Sequence, residues 1–346
     1  MPSTIIDVAR QAGVSIATVS RVIHGNPLVS EATSLRVQQA MVDLNYTPNV
    51  VARGLVTQRS QAVGLVITSM ADPFFPPIVQ GVEETAIDHG YSVLLCTSSH
   101  DPQRELAVVR LLRERRVDAI IVASSRLGSL YHPHLEEIKA PLVLINNEQS
   151  GGSYTCGVGT DDVAGGRLAT SYLLSLGHRA IAYIHGPLAK QSSQDRYRGY
   201  QMEMLAAGAP DPGLVAVGDG QAAGGQTAMA ELLRRQPRPT AVFCFNDLTA
   251  MGAMRAIRAA GLSLPHDVSV IGYDDIALAA YAEPPLTTIA QQSYQLGRRA
   301  MLLALDMLGG KPGESIVLPA TLVQRASCAT PATMIQHNSL AATVQV

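Results

Sequence analysis

An all-α segment of helix-turn-helix type followed by two Rossmann-like α/β lobes with parallel sheets is the architecture this sequence predicts. Three observations predict it. The chain has 346 residues, more than one ordinary domain of roughly 100 to 200 residues holds. Residues 4 to 46 carry three short apolar stripes at helical spacing, whereas from Ala62 onward short β-branched runs alternate with amphipathic stretches, the pattern of repeated βα units. Aromatics are scarce, with 4 Phe and no Trp, so the apolar material is mostly Ala, Val, Leu and Ile, which is what covered parallel strands and packed helices use.

The first helix places Ile5, Val8, Ala9 and Ala12 at i, i+3, i+4 and i+7, and Gly13 ends it. Ser15 is a suitable N-cap for a second helix, Ile16 to Ile23, whose Val19, Val22 and Ile23 face inward. Asn26-Pro27 breaks the chain. A third helix begins at the N-cap Ser30 and runs to about Leu44, with Val37, Ala40, Met41 and Leu44 inward. Residues 1–47 therefore read as a headpiece and 48–60 as a hinge or linker. Strands are expected near Ala62 to Ile67, Tyr91 to Thr97, Ala119 to Ala123, Leu142 to Asn146, Ala180 to His185, Leu214 to Val217, Ala241 to Phe245 and Val268 to Tyr273, with helices in the gaps. Two lobes follow within residues 61–328, lobe one about 61–160 and 292–325, lobe two about 161–291. Residues 329–346 show no heptad pattern and are expected to form a flexible tail.

The formal net charge is -2, and it is unevenly spread. Residues 1 to 59 hold Arg10, Arg21, Arg36, Arg53 and Arg59 against Asp7, Glu31 and Asp43, five minus three or +2, which leaves -4 for the rest. A small basic reader on an acidic body has this asymmetry. The start of the chain lacks a basic stretch leading into an apolar run, and no segment offers about 18 uninterrupted apolar residues, so a cytoplasmic protein without a membrane partner is expected. Cys96, Cys156, Cys244 and Cys328 lie far apart, which suits buried free thiols rather than a disulfide framework or zinc site. His132-Pro133-His134 has no third ligand nearby, and Gly157-Val158-Gly159 with Gly165-Gly166 lacks the G-x-G-x-x-G spacing. No metal, cofactor or enzymatic nucleophile is expected.

Two short helices joined by a glycine-containing turn suit the placing of the second in a major groove. With Val19 inward, the 100° step puts Ala17 and Arg21 on the far side, Thr18 and Ser20 on the flanks and Ile16 at the leading end. Arg21 suits a bidentate contact to guanine, and Ile16 and Ala17 suit apolar contact with thymine methyls. Ser15, Thr18, Ser20, Asn26, Ser30 and Thr33 are placed to meet phosphates. A plain three-helix bundle has the same spacing. The run Thr4-Ile5-Ile6-Asp7-Val8-Ala9-Arg10-Gln11-Ala12-Gly13-Val14-Ser15-Ile16-Ala17-Thr18-Val19-Ser20-Arg21-Val22 goes further: it resembles the headpiece of the lactose-repressor and galactose-repressor family. The likeness continues through Val29-Ser30-Glu31-Ala32-Thr33, Leu44-Asn45-Tyr46-Thr47-Pro48-Asn49 and Val51-Ala52-Arg53-Gly54-Leu55.

That resemblance implies a DNA-binding regulator acting as a homodimer on a near-palindromic operator. Thr4, Asn49, Ala52 and Leu55 would join the DNA-contacting set, with Leu55 wedged into the minor groove. A helix from Asn49 to about Thr57 is shorter than the roughly 12 to 15 residues that are marginal in water, so it would order only on DNA beside its twin. The resemblance extends from Gln61 to Arg325 and implies lobes of periplasmic-binding-protein type around an effector. Ligands in open α/β sheets sit beyond the strand carboxyl ends, where Asp72-Pro73-Phe74-Phe75, Asn146-Asn147, Asn246-Asp247 and Asp274-Asp275 fall; Arg196 and Gln291 complete the group. Aromatic rings with amides, carboxylates and a guanidinium suit a small polyol. Each also has a duller role, Asn and Asp as helix caps and Phe74 and Phe75 as core. The expected effector set is Asp72, Phe74, Phe75, Asn146, Arg196, Asn246, Asp274 and Gln291.

Asp72 stands where ribose-binding members more often have asparagine, and Asn146-Asn147 replaces an Asp-led pair, so another pentose, a hexose or a polyol is as open as ribose. A neutral monosaccharide is favoured over an acid because Asp72 and Asp274 would repel a further carboxylate. A purine-type co-repressed regulator, a binding protein without a DNA role, and a Rossmann-like enzyme are the alternatives; the headpiece opposes the second, and the missing fingerprint and nucleophile oppose the third.

Overall fold

The computed structural model describes residues 3–23, 26–47, 59–123, 140–146, 155–188, 190–209 and 214–331. The chain falls into two compact units, Met1–Gln61 and Ala62–Val346. In the first, α1 (Ile5–Ala12), α2 (Ile16–Ile23) and α3 (Glu31–Asp43) enclose a core of Val8, Ala9, Ala12, Val19, Val37 and Ala40, with Ile5, Val22, Ile23, Met41 and Leu44 packed around it. Thr4 and Asp7 close a capping box: Asp7 N donates to Thr4 Oγ1 at 3.4 Å and Thr4 N to Asp7 Oδ2 at 3.0 Å, which satisfies donors the first turn leaves orphaned. Gly13 ends α1 at φ +65°, a left-handed conformation that costs a Cβ-bearing residue roughly 1–2 kcal/mol. Ser15 caps α2, its Oγ accepting from Thr18 N at 3.1 Å. Ser30 stands at the cap position of α3 but makes no capping bond; its hydroxyl donates to Thr33 Oγ1 at 2.9 Å instead.

The second unit runs β1 (Ala62–Ile67), α4 (Phe75–Asp88), β2 (Ser92–Thr97), α5 (Pro102–Glu114), β3 (Ala119–Ala123), β4 (Leu142–Ile145) and β5 (Thr155–Thr160). It continues with α6 (Asp162–Ser175), β6 (Ile181–His185), α7 (Gln191–Ala206), β7 (Val215–Val217), α8 (Ala222–Leu232), β8 (Ala241–Cys244), α9 (Asp247–Ala259), β9 (Ser269–Asp274) and β10 (Thr287–Ala290). Then come α10 (Ser293–Leu308), β11 (Ile316–Leu318) and β12 (Thr321–Val323). Two six-stranded sheets result, ordered β11-β5-β4-β3-β1-β2 and β12-β10-β9-β8-β6-β7. Among the described residues every pairing is parallel except β10 with β12. β3, β4, β6 and β8 are buried throughout, so apolar runs rather than alternation mark them, as helices on both faces require.

Among the described strands the chain passes between the lobes after Thr160, after Ala290 and after Leu318. The third crossing corrects the expected span of lobe one. β12 pairs with β10 in the second sheet, so 321–325 belongs with lobe two. Ile316 to Val323 reads as one apolar stretch, but Pro319 and Ala320 divide it into two strands of three residues that serve different sheets. The short β5 and β10 to β12 were also absent from the sequence-based strand assignment, each being brief or glycine-containing. Beyond β12, Thr287 N donates to Ser327 Oγ at 2.8 Å, Arg325 pairs with Asp275 at 2.7 Å, and Ala329 N donates to Ser269 Oγ at 3.0 Å. The expected flexible tail therefore begins with bound residues, and 332–346 lies outside the described residues. α10 returns to lobe one against α4 so closely that a Cβ on Gly297 would stand 2.1 Å from Ile78 O, a position only glycine fits.

Candidate functional sites

On the headpiece, α2 shows its surface opposite Val19. Ile16, Ala17 and Arg21 are exposed, with Thr18 and Ser20 half-buried beside them. Ile16 stands 47% exposed at the first position of the helix. The hydroxyls of Ser15 and Thr18 bond each other at 2.9 Å, and Asn26 Oδ1 accepts from Leu28 N at 2.9 Å. Thr4, Ser15 and Ser30 are exposed, Asn26 and Thr33 half-buried. The expected contacts Asn49, Ala52 and Leu55 lie outside the described residues.

In the second unit, a narrow cleft lies beyond the strand carboxyl ends, where open α/β sheets bind their ligands. Asp72, Phe74, Phe75 and Asn146 line it from lobe one; Lys190, Ser192, Arg196, Phe245, Asn246 and Asp274 from lobe two; Gln291 from the second crossing. All eight expected residues converge there. Lys190, Ser192 and Phe245 were not anticipated, although Ser192 stands four residues before Arg196 on the face of α7 and Phe245 adjoins Asn246. Of the neighbours considered, Asp247 turns away, accepting from Thr288 Oγ1 and, at 2.9 Å, from Ile276 N. Asp275 is paired with Arg325, and Asn147, His132 and His134 lie outside the described residues.

The duller roles and the site roles coexist. Asn246 caps α9 by accepting from Thr249 N at 2.9 Å, while its Nδ2 donates to Gly220 O at 3.0 Å. Phe74 and Phe75 belong to the core yet line the cleft, their rings edge-to-face at 5.5 Å. Asp72 holds that turn by accepting from Phe74 N at 3.0 Å. Asn146, Asp274 and Asp275 have φ of 52°, 107° and 56°, backbone strain of about 1–3 kcal/mol each of the kind that gathers at functional sites.

Arg196 is the electrostatic centre. It is 3% exposed, donates through Nε to Asp162 Oδ1 at 2.8 Å and through Nη1 to Phe245 O at 2.7 Å, and lies 3.5 Å from Asp274 Oδ1. Its guanidinium also stacks 3.7 Å from the Tyr273 ring centroid and 4.8 Å from that of Phe245. Burial opposes its charge, but Asp162 and Asp274 outweigh burial and hold the guanidinium above its ordinary range. Burial likewise raises Asp162 against the pull of Arg196. Asp274 is raised from 3.8 to about 7, chiefly by burial, with Arg196 lowering it and Asp72 across the cleft raising it. One guanidinium thus serves more carboxylates than it neutralises. Gln291 Nε2 donates to Asp274, Asn146 Nδ2 donates to Gln291 Oε1 at 2.8 Å, and Asn146 Oδ1 is buried without a partner.

Residues 4–49 match the model of bacterial regulatory proteins of the lacI family, and residues 170–328 that of a periplasmic binding protein-like domain. The HTH-type transcriptional regulator GalR of Escherichia coli K12 is 37% identical over 340 residues, covering 97% of this chain and 99% of its own. The chain belongs to the lacI family. It is a DNA-binding transcriptional regulator with an effector-binding domain of the periplasmic-binding-protein type. The ribose operon repressor of the same bacterium is 39% identical over 311 residues, covering 88% of this chain and 92% of its own. A crystal structure of the lac repressor dimer bound to operator and the anti-inducer ONPF is 30% identical with a TM-score of 0.84, covering 95% of this chain and all, 100%, of that one. Among the described residues no helix is long and apolar enough to cross a membrane.

Proposed function

We propose that this lacI-family protein represses sugar-utilisation genes as a cytoplasmic homodimer on a near-palindromic operator, and that a neutral, ribose-like monosaccharide in the interlobe cleft releases it. The observation that carries this reading is the lining of the cleft. Two phenyl rings supply an apolar wall for the C–H face of a sugar, and carboxylates, amides and a guanidinium face it with both donors and acceptors. Asp72 and Asp274 both line the cleft and would repel an acidic ligand, which favours a neutral one. On the headpiece, Arg21 reads a guanine, Ile16 and Ala17 touch thymine methyls, and the hydroxyl groups at Thr4, Ser15, Thr18, Ser20, Ser30 and Thr33 with the Asn26 amide set the register on phosphates. Asn49, Ala52 and Leu55 form the hinge contact.

Release follows from differential affinity. A sugar that binds one closure angle of the lobes better than the other shifts the population by no more than that difference. The test is a thermal-shift titration of the full chain against pentoses, hexoses, polyols and purine bases. A native-state ligand raises stability by about 2.7 kcal/mol at a hundred times its dissociation constant. A shift with a neutral sugar supports the reading; a shift with purines or acidic compounds alone contradicts it.

A further inference from the structure

Three side chains from distant parts of the chain meet between the lobes. Asn146 at the end of β4 donates through Nδ2 to Gln291 Oε1 at 2.8 Å, and Gln291 Nε2 donates to Asp274 Oδ1 at the end of β9. The direction of this relay is imposed at one end. An ionised carboxylate only accepts hydrogen bonds, so Gln291 must turn its NH₂ toward Asp274 and its carbonyl toward Asn146. Asn146 answers with its own NH₂. Its Oδ1 is then left buried without a donor, 3.9 Å from where a side chain on Gly159 would begin.

We propose that Gln291 sets the hydrogen-bonding polarity of the cleft, converting the charge on Asp274 in lobe two into a choice between acceptor and donor at Asn146 in lobe one. With Asp274 ionised, the position beside Gly159 is an acceptor and takes an O–H or N–H of the effector. With Asp274 protonated from solvent, its O–H donates to Gln291 Oε1 and both amides turn over. Gln291 Nε2 then donates to Asn146 Oδ1, and the position beside Gly159 becomes a donor. A hydroxyl serves both states because it donates and accepts; an ammonium group serves only the first and a carbonyl oxygen only the second. Gln291 is thus a positioning residue whose effect is on specificity.

The groups around Asp274 bring both states within reach. Arg196 of α7 favours the anion; Asp72 after β1, Asp162 of α6 and Asp247 of α9 oppose it. Lys190 lines the same cleft, and Asp275 is held by Arg325. Burial is the largest influence and brings the carboxyl to about 7. The effector's part in this rests on the cleft being the ligand site, whereas the relay itself is tested without ligand.

The full chain, labelled with ¹⁵N at its side-chain amides, is titrated across neutrality, the Asn146 and Gln291 signals being assigned by their loss in Asn146→Asp and Gln291→Met. Both NH₂ pairs are expected to shift along one curve with its midpoint at about pH 7, and Gln291→Met is expected to leave the Asn146 pair indifferent to pH. Asp274→Asn is expected to freeze both; should that variant not fold, Gln291→Met decides alone. An Asn146 curve that survives in Gln291→Met, or a Gln291 signal that does not titrate in the wild type, overturns the relay. Failure of the cleft as a sugar site would appear differently, as a thermal-shift panel without a sugar response while the relay titration persists.

Discussion

In the headpiece, the side chains proposed to meet DNA stand on the exposed face of a helix whose opposite face buries Val19 completely, at 0% exposure. In the cleft, Arg196 and Gln291 are 3% and 1% exposed, and their polar atoms are held by Asp162, Asp274, Asn146 and the Phe245 carbonyl. The first surface is separable from folding, because an exposed side chain with little to hold exchanges at small cost. The second is not. The groups proposed to bind the effector are also structural cement, so a change in what the cleft binds would be a change in how the lobes are tied together. In the proposed function, that tie is what couples a bound ligand to the headpiece.

Substitutions break this comparison at different points. The largest effect is expected from Arg196→Met, which leaves Asp162 and Asp274 buried without their counter-charge; breaking such a pair costs about 3–5 kcal/mol, measurable by denaturant unfolding. A loss below about 1 kcal/mol, the worth of an exposed pair, would show that the network is dispensable. Next comes the pH dependence of Asp274. Its carboxyl is raised in the folded state, from 3.8 to about 7, so the folded form keeps a proton that the unfolded chain has released. Relative to Asp274→Asn, the wild type should therefore be most stable at low pH. That advantage should decline by about 1.4 kcal/mol per pH unit between the two values and level off above the upper one. A difference that grows with rising pH contradicts the assignment.

Arg21→Ala sharpens the comparison from the other side. Stability should change by less than about 0.5 kcal/mol, while operator binding should weaken by about 1–3 kcal/mol and lose its preference at one base pair in each half-site. An equal loss on all sequences would move Arg21 to a phosphate. The smallest effect is expected from Thr4→Ala, which removes the capping box of α1 and should lower headpiece stability by about 1 kcal/mol, read from the melting of the isolated transition of that unit; no shift would assign the cap to the Asp7 carboxylate alone.

Legibility in the sequence divides along the same line. The headpiece obeys one period, so Val8, Ala12, Val19, Val37 and Ala40 announce the core and Ile16, Ala17 and Arg21 the outer face from spacing alone. Asp72, Asn146, Asn246 and Asp274 were visible as polar residues at strand ends, because the topology of parallel sheets sends those ends to one side. What spacing cannot carry is partnership. Nothing local to Asp162 announces Arg196, 34 positions away, or sends Asp247 inward to Thr288 while its neighbour Asn246 faces the cleft. Lys190 and Ser192 stand at the cap and in the first turn of α7, where nothing local marks a cleft, and the split of Ile316 to Val323 between two sheets depends on pairings far along the chain.

The most direct test of the account is operator binding by the full chain, followed by fluorescence anisotropy with and without the sugar that raises its melting temperature, in the wild type and in Arg196→Met. The account predicts that the sugar weakens wild-type operator binding about tenfold or more, within the usual range of allosteric coupling, and leaves Arg196→Met indifferent. Operator affinity unchanged by a sugar that demonstrably binds the wild type would contradict it.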